Sequence, residues 1–223
     1  LNAATFLVMI WALHGMDPKR LSQPPKADRE PGRVRAAIRH VRNTPELAMP
    51  LLLMAVVGTL GLNFQVILPL LARLTFEGGA SSYAVLVSSM GAGSVIGALI
   101  TGARGKTGMG VIAMSALAFG GLAMAAAVMP SLASEIPILA LLGASAVTFA
   151  AAINSTIQLA VEPEMRGRVM ALYSVVFLGS TPIGGPLVGF ISESADPRLA
   201  LALASISGLI AAAGAWRISI STA

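Results

Sequence analysis

Apolar residues in this chain fall into long blocks, and polar residues form short interruptions between them. The blocks run over Leu47–Ala72, Ser82–Thr101, Met109–Met129, Ile136–Val161, Val169–Ile191 and Leu199–Trp216. Each has about the length, ~20 residues, that a helix needs to cross the hydrocarbon core of a bilayer. Backbone groups cannot stay unpaired in hydrocarbon, so each block is predicted to be a helix. Turn and breaker residues separate them: Glu77-Gly78-Gly79, Gly105 to Gly108, Pro130, Pro137, Pro163 and Asp196-Pro197. A shorter run, Leu1–Met16, opens the chain. No basic stretch precedes it and no small-residue cleavage site follows, which argues against a signal peptide. At 16 residues it is short for a span, so it is expected to be the end of a transmembrane helix that starts upstream.

Composition agrees with the blocks. Hydrophobic residues make up 56% of the chain and charged residues 11%, against about 25% charged in a soluble domain. Mean hydropathy is +0.81. Aromatics are only 5%, so the apolar content is mostly small and aliphatic, which suits helices that pack closely in lipid. Cysteine is absent, which excludes a disulfide framework or a thiolate metal site.

Charge sets the orientation. One set of alternate loops and ends holds Lys19, Arg20, Lys26, Arg29, Arg33, Arg35, Arg39, Arg42, Arg104, Lys106, Arg166, Arg168 and Arg217, 13 basic residues. The other set holds Arg73 and Arg198. The positive-inside rule puts the first set, with the C-terminus, in the cytoplasm. The basic excess at one membrane face also accounts for the pI of 10.4 without any nucleic-acid partner. The expected organisation is residues 1–16 as the end of a helix, 17–46 as a basic cytoplasmic loop, 47–216 as a six-helix bundle and 217–223 as a cytoplasmic tail. Within the loop, Asp17 to Pro31 is polar and proline-rich. From Gly32 to Asn43, Val34, Ile38 and Val41 share one helical face, while Arg35, Arg39 and Arg42 share another. That pattern predicts a short interfacial amphipathic helix, with a solvated linker as the alternative.

Candidate functional residues are the polar ones inside spans, where they are costly. Asn63 and Gln65 lie in the first block, and Asn154 and Gln158 share a face of the fourth. They are candidates to line a solute cavity; interhelical hydrogen bonding is the alternative. No Asp or Glu falls within a predicted span, so a coupling carboxylate is expected elsewhere in the protein. Ser89, Gly93 and Gly97 form a small-residue stripe for close helix packing. Pro182, Gly184, Gly185 and Pro186 predict a kink, either a static shape or a gating hinge. Arg104, Lys106, Arg166 and Arg168 are candidates for cytoplasmic gating or lipid contact; setting topology is the plainer role. Nothing in the sequence supports a phosphate loop, a metal site or a hydrolytic centre.

The stretch Asn154–Phe190, NSTIQLAVEPEMRGRVMALYSVVFLGSTPIGGPLVGF, resembles the tenth-to-eleventh helix passage of major facilitator superfamily transporters. The resemblance is to the bacterial exporter branch that includes enterobactin-exporter-like and macrolide or multidrug efflux proteins. RGRVMAL at Arg166–Leu172 and the cluster at Pro182, Gly184 and Gly185 carry most of it. LNFQVILPLLARLTFEGGASSYAVLVSSMGAGSVIGALITG, Leu62 to Gly102, is a second match, and ATFLVMIWAL resembles the close of the sixth helix. The loop GARGKTGMG departs from the family's acidic-basic signature by lacking its Asp.

The resemblance implies an all-α, polytopic protein: the six-helix C-terminal bundle of a twelve-helix major facilitator fold, with the end of helix six. It implies that the seventh and tenth helices face the solute path, that the eighth and eleventh contact the other half, and that the ninth and twelfth face lipid. It further implies secondary active transport by alternating access in the bacterial inner (plasma) membrane, as efflux of drug-like or siderophore-like solutes. The expected partners are that solute, membrane lipids and an N-terminal half of the same protein. No cofactor is expected, the proton gradient being the energy source. The alternatives are another cargo on the same fold (lysophospholipid, sugar or amino acid) or a non-transport membrane module of a larger fused protein.

Overall fold

The computed structural model describes residues 6, 8–11, 14–15, 33–105 and 107–221. These fall into two units, Leu1–Gly32 and Arg33–Ala223. In the first, residues 6, 8–11 and 14 are helical, and the Gly15 N–H closes a turn on the Trp11 carbonyl at 3.1 Å. The proline-rich stretch expected over Asp17 to Pro31 lies outside the described residues.

The second unit is helical, with no strand among its described residues. Helix α1 spans Arg33–Asn43, α2 Pro45–Leu60, α3 Phe64–Leu70 followed by a π turn at Leu71–Thr75, and α4 Ala80–Arg104. Then come α5 Met109–Ala127, α6 Leu132–Ala160, α7 Pro163–Gly179, α8 Thr181–Ser194 and α9 Pro197–Ser221. Counting α2 with α3 and α7 with α8, six helical stretches are long and apolar enough to cross a membrane. The six expected spans are therefore present, although their ends differ. Helix α9 continues through Ser221, so residues 217–221, expected as a tail, are helical.

Helix α1 packs on α2 and α7. Its buried face is Ala37 and Val41, an i, i+4 pair. Ile38, expected on that face, is exposed, as are Arg35, Arg39 and Arg42. The small Ala37 lets the helix lie close to the bundle, and Ile38 is turned away with the charges.

The first span is broken, where an unbroken helix over Leu47–Ala72 was expected. Helix α2 stops at Leu60, and α3 starts only at Phe64. At the break the Asn63 Nδ2 donates to the Thr59 carbonyl at 2.7 Å, standing in for a helical backbone donor. Gly61 has no side chain to hold it off Ser207 of α9 and Phe119 of α5. Phe64 meets Phe119 edge-to-face at 6.2 Å. Irregular backbone at membrane depth persists only where protein covers it, and Gly61 and Asn63 are both buried.

Small residues hold the bundle together. Helix α4 lies against α6, with Gly93 against the Ala140 backbone and Gly97 against that of Ala144. Ser89 Oγ donates to the Ile136 carbonyl, and the Thr101 and Thr148 hydroxyls meet at 3.0 Å. Helix α5 crosses α9 with Gly120 against Gly208. The resemblance had assigned the glycine stripe of α4 to contact with the other half. The structure turns Gly93 and Gly97 inward and exposes Val95, Ile96 and Leu99 instead. Close approach needs the small residues on the inner face, which leaves the bulky ones outside.

Helix α4 ends at Gly105, whose φ of +57° is left-handed, and Gly108 follows at φ +115°. The Gly108 N–H then donates to Thr156 Oγ1 at 3.0 Å, tying this loop to the end of α6. Where a kink was expected around Pro182, the span is divided at Ser180, between α7 and α8, although Ser180 keeps helical dihedrals. There Gly184 sits against the Thr59 carbonyl and the Asn63 side chain. The proline-bearing helix thus packs against the break in the first span.

Candidate solute path and charged ends

Asn63 and Gln65 line one cavity of about 370 Å³, walled by residues such as Leu62, Phe64, Met90 and Phe177. Gln65 is exposed, whereas Asn63 is buried and engaged with Thr59. Asn63 Oδ1 is buried without a hydrogen-bond partner. On α6, Gln158 Nε2 donates to Asn154 Oδ1, one turn away. Tyr173 of α7 is a further polar neighbour of Asn154. Gln158 lines a different cavity of about 430 Å³, with Thr101, Thr107 and Ser155. The four candidates therefore do not converge on one enclosed pocket. They form two polar patches, one at the break of the first span and one near the C-terminal end of α6.

The basic candidates gather at one end of the bundle. Arg104 is exposed at the C-terminus of α4, close to the loop that Thr156 ties to the end of α6. Arg166 is exposed in the first turn of α7, and Arg168 directs Nη1 to Met165 Sδ at 3.5 Å. Lys106 lies outside the described residues. Helix antiparallelism puts Arg198 at the opposite end, where its Nη2 donates to the Met129 carbonyl at 2.7 Å. The alternation of charge along the sequence is thus an alternation between the two ends of the bundle.

One residue was missed by the sequence reading. Glu135 stands one position before the expected start of its span, but α6 begins at Leu132 and takes it in. The cause is a reciprocal cap: Ser131 Oγ accepts the Ser134 N–H at 3.3 Å while Ser134 Oγ accepts the Ser131 N–H at 3.3 Å. Serines spaced as a cap ahead of an apolar run were the available signal. Glu135 is fully buried, and neither carboxylate oxygen has a hydrogen-bond partner. Arg198 is the charge that acts on it.

Among the described residues no cluster of three or more His, Asp or Glu side chains is arranged to hold a metal ion. The polar side chains lining the two cavities at Gln65 and Gln158 carry amides and hydroxyls. No curated protein and no solved structure matches the chain. The family described as transmembrane secretion effector matches it over residues 1–223. Six apolar helices, small-residue packing, polar amides inside the spans and this match point to a transporter rather than an enzyme. The chain belongs to the transmembrane secretion effector family of the major facilitator superfamily, as a multi-pass protein of membrane transport.

Proposed function

We propose that this chain is the C-terminal half of an exporter that moves neutral, amphipathic small molecules, drug-like or siderophore-like, out of the bacterial cytoplasm by alternating access. The cavity at Asn63 and Gln65 carries this reading. Two amides set in walls of Leu62, Phe64, Met90 and Phe177 match a solute that is mostly apolar with a few hydrogen-bonding groups. A strongly charged solute finds no countercharge among those lining residues.

An N-terminal half is the proposed partner. Its docking face is the bulky apolar surface of α4, α7 and α8, with Leu99, Val175, Leu178 and Phe190 all exposed. The spans carrying these residues are the two least buried in the bundle, at 17% and 22%. The proposed location is the inner membrane, and the positive-inside rule supports an orientation with Arg104, Arg166 and Arg168 on the cytoplasmic side. The proton gradient is the proposed energy source.

Asn63 is structural as well as polar, so the test uses the exposed amide of the same cavity. In the full-length protein, Gln65→Leu removes a hydrogen-bonding group worth about 1 kcal/mol. Efflux of a lipophilic fluorescent dye from intact cells is expected to fall by about fivefold at unchanged membrane abundance. Undiminished efflux overturns the cavity assignment. Asn63→Leu, by contrast, is expected to lower abundance, because the Thr59 carbonyl loses its donor.

A further inference from the structure

Helices α4 and α5 both pack on α6 and make little contact with each other. Between them runs a groove of about 880 Å³, larger than the cavities lined by Gln65 and by Gln158. Its floor is α6, at Leu141, Ala144 and Thr148, and its walls include Ile100 of α4 and Met114 of α5. The cavity at Asn63 and Gln65 has none of these residues in its lining, so the groove is a separate place. We propose that it binds a membrane phospholipid with an anionic headgroup, its acyl chain along α6 and its phosphate against Arg104.

Three features define that occupant. The first is chemical. One lining hydroxyl, on Thr107, lies exposed in the loop beside Arg104, at the headgroup end. Along the helices the groove is lined by three more, on Ser115, Ser145 and Thr148. Each is already bonded to a carbonyl of its own helix: Ser115 to Val111 at 2.8 Å, Ser145 to Leu142 at 2.8 Å and Thr148 to Ala144 at 2.8 Å. Thr148 also meets Thr101. Hydroxyls committed in this way offer little to a polar solute, so the groove presents itself as hydrocarbon. The second is length. Along α5 the lining runs from Gly110 to Leu122, about 18 Å at 1.5 Å per residue. That is close to one leaflet of a hydrocarbon core about 30 Å thick. The third is charge. Arg104 lines the groove, is exposed, and stands where α4 leaves the membrane. Basic pockets between transmembrane helices at the interface suit anionic headgroups. The proposal rests on the membrane-spanning fold and is independent of the cargo.

The test uses the full-length protein, purified in mild detergent and titrated with phosphatidylglycerol or phosphatidylcholine of identical acyl chains. Native mass spectrometry counts the lipid bound. The wild type is expected to retain phosphatidylglycerol about fivefold better than phosphatidylcholine, the contribution of one basic residue near an anionic surface. Arg104→Gln is expected to erase that preference, and Arg104→Lys to keep most of it. Ala118→Trp, which fills the groove from an exposed position on α5, is expected to weaken both lipids. Gly110→Leu, whose side chain enters open space, is a second filling variant should the tryptophan disturb folding. Equal binding of the two lipids by the wild type overturns the proposal. So does an undiminished preference in Arg104→Gln, or unaltered binding in a folded groove-filling variant. Displacement of the lipid by a transported solute assigns the groove to cargo and also overturns it.

Discussion

Gly93→Val is expected to prevent α4 from seating on α6 and to destabilise the bundle by about 3 kcal/mol or more. A Cβ added at Gly93 runs into the Ala140 carbonyl, which is backbone and cannot swing aside as a side chain would. The helices must separate, and separation also stretches the Ser89 bond to Ile136 and the Thr101–Thr148 contact, which lie on the same seam. In lipid the hydrophobic effect does not push the helices back together, because the bilayer is as apolar as the interface. The control is Gly91→Val, two residues away on the exposed face, where a Cβ meets open space. Unfolding midpoints of the full-length protein in a denaturing-detergent titration are expected to fall sharply for Gly93→Val and little for Gly91→Val. Equal midpoints would mean that α4 does not approach α6 through this glycine.

Arg198→Ala is the second large effect. It leaves Glu135 buried beside no positive charge and removes the donor to the Met129 carbonyl. Arg198 acts on Glu135 through space rather than by a direct ion pair, so the cost is chiefly that of a lost hydrogen bond from a charged donor, about 1.5–3 kcal/mol. Arg198 is only half-buried, so the lower end is expected. Glu135→Gln keeps the shape and removes the charge, and by itself is expected to be nearly neutral. Combined with Arg198→Ala, it is expected to restore the part of the loss that comes from the carboxylate, and not the part that comes from the Met129 bond. A thermal-unfolding double-mutant cycle reads the coupling directly. A coupling below about 0.5 kcal/mol would show that Arg198 acts only through Met129.

The same two positions show where sequence reasoning stopped. The Gly93 stripe was legible as a packing surface, but its partner was assigned to another half of the protein. Glu135 was legible as acidic but was placed outside its span. It came inside because Ser131 and Ser134 start α6 before the apolar run begins. A hydropathy window is governed by the apolar run and passes over a cap of two serines. The break in the first span was hidden for a similar reason. Gly61 and Asn63 occur in many unbroken helices, and the break depends on α5, α8 and α9 lying close enough to cover it.

The sequence by itself determined the class of protein, the number of spans and the alternation of charge between their ends. These are sums over many residues: the free energy of moving a twenty-residue segment into hydrocarbon, and the count of basic residues in each loop. Such sums survive errors of a few residues at any boundary. Only the tertiary structure decided which face of each helix is the inner one. A helix apolar on every side shows no 3.6-residue contrast between core and surroundings. That is why the four amides were expected along one path and form two patches. In water, polarity marks the outer face of a helix. In lipid it is shape that does so, with Gly93, Gly97 and Gly184 marking where one backbone can reach another.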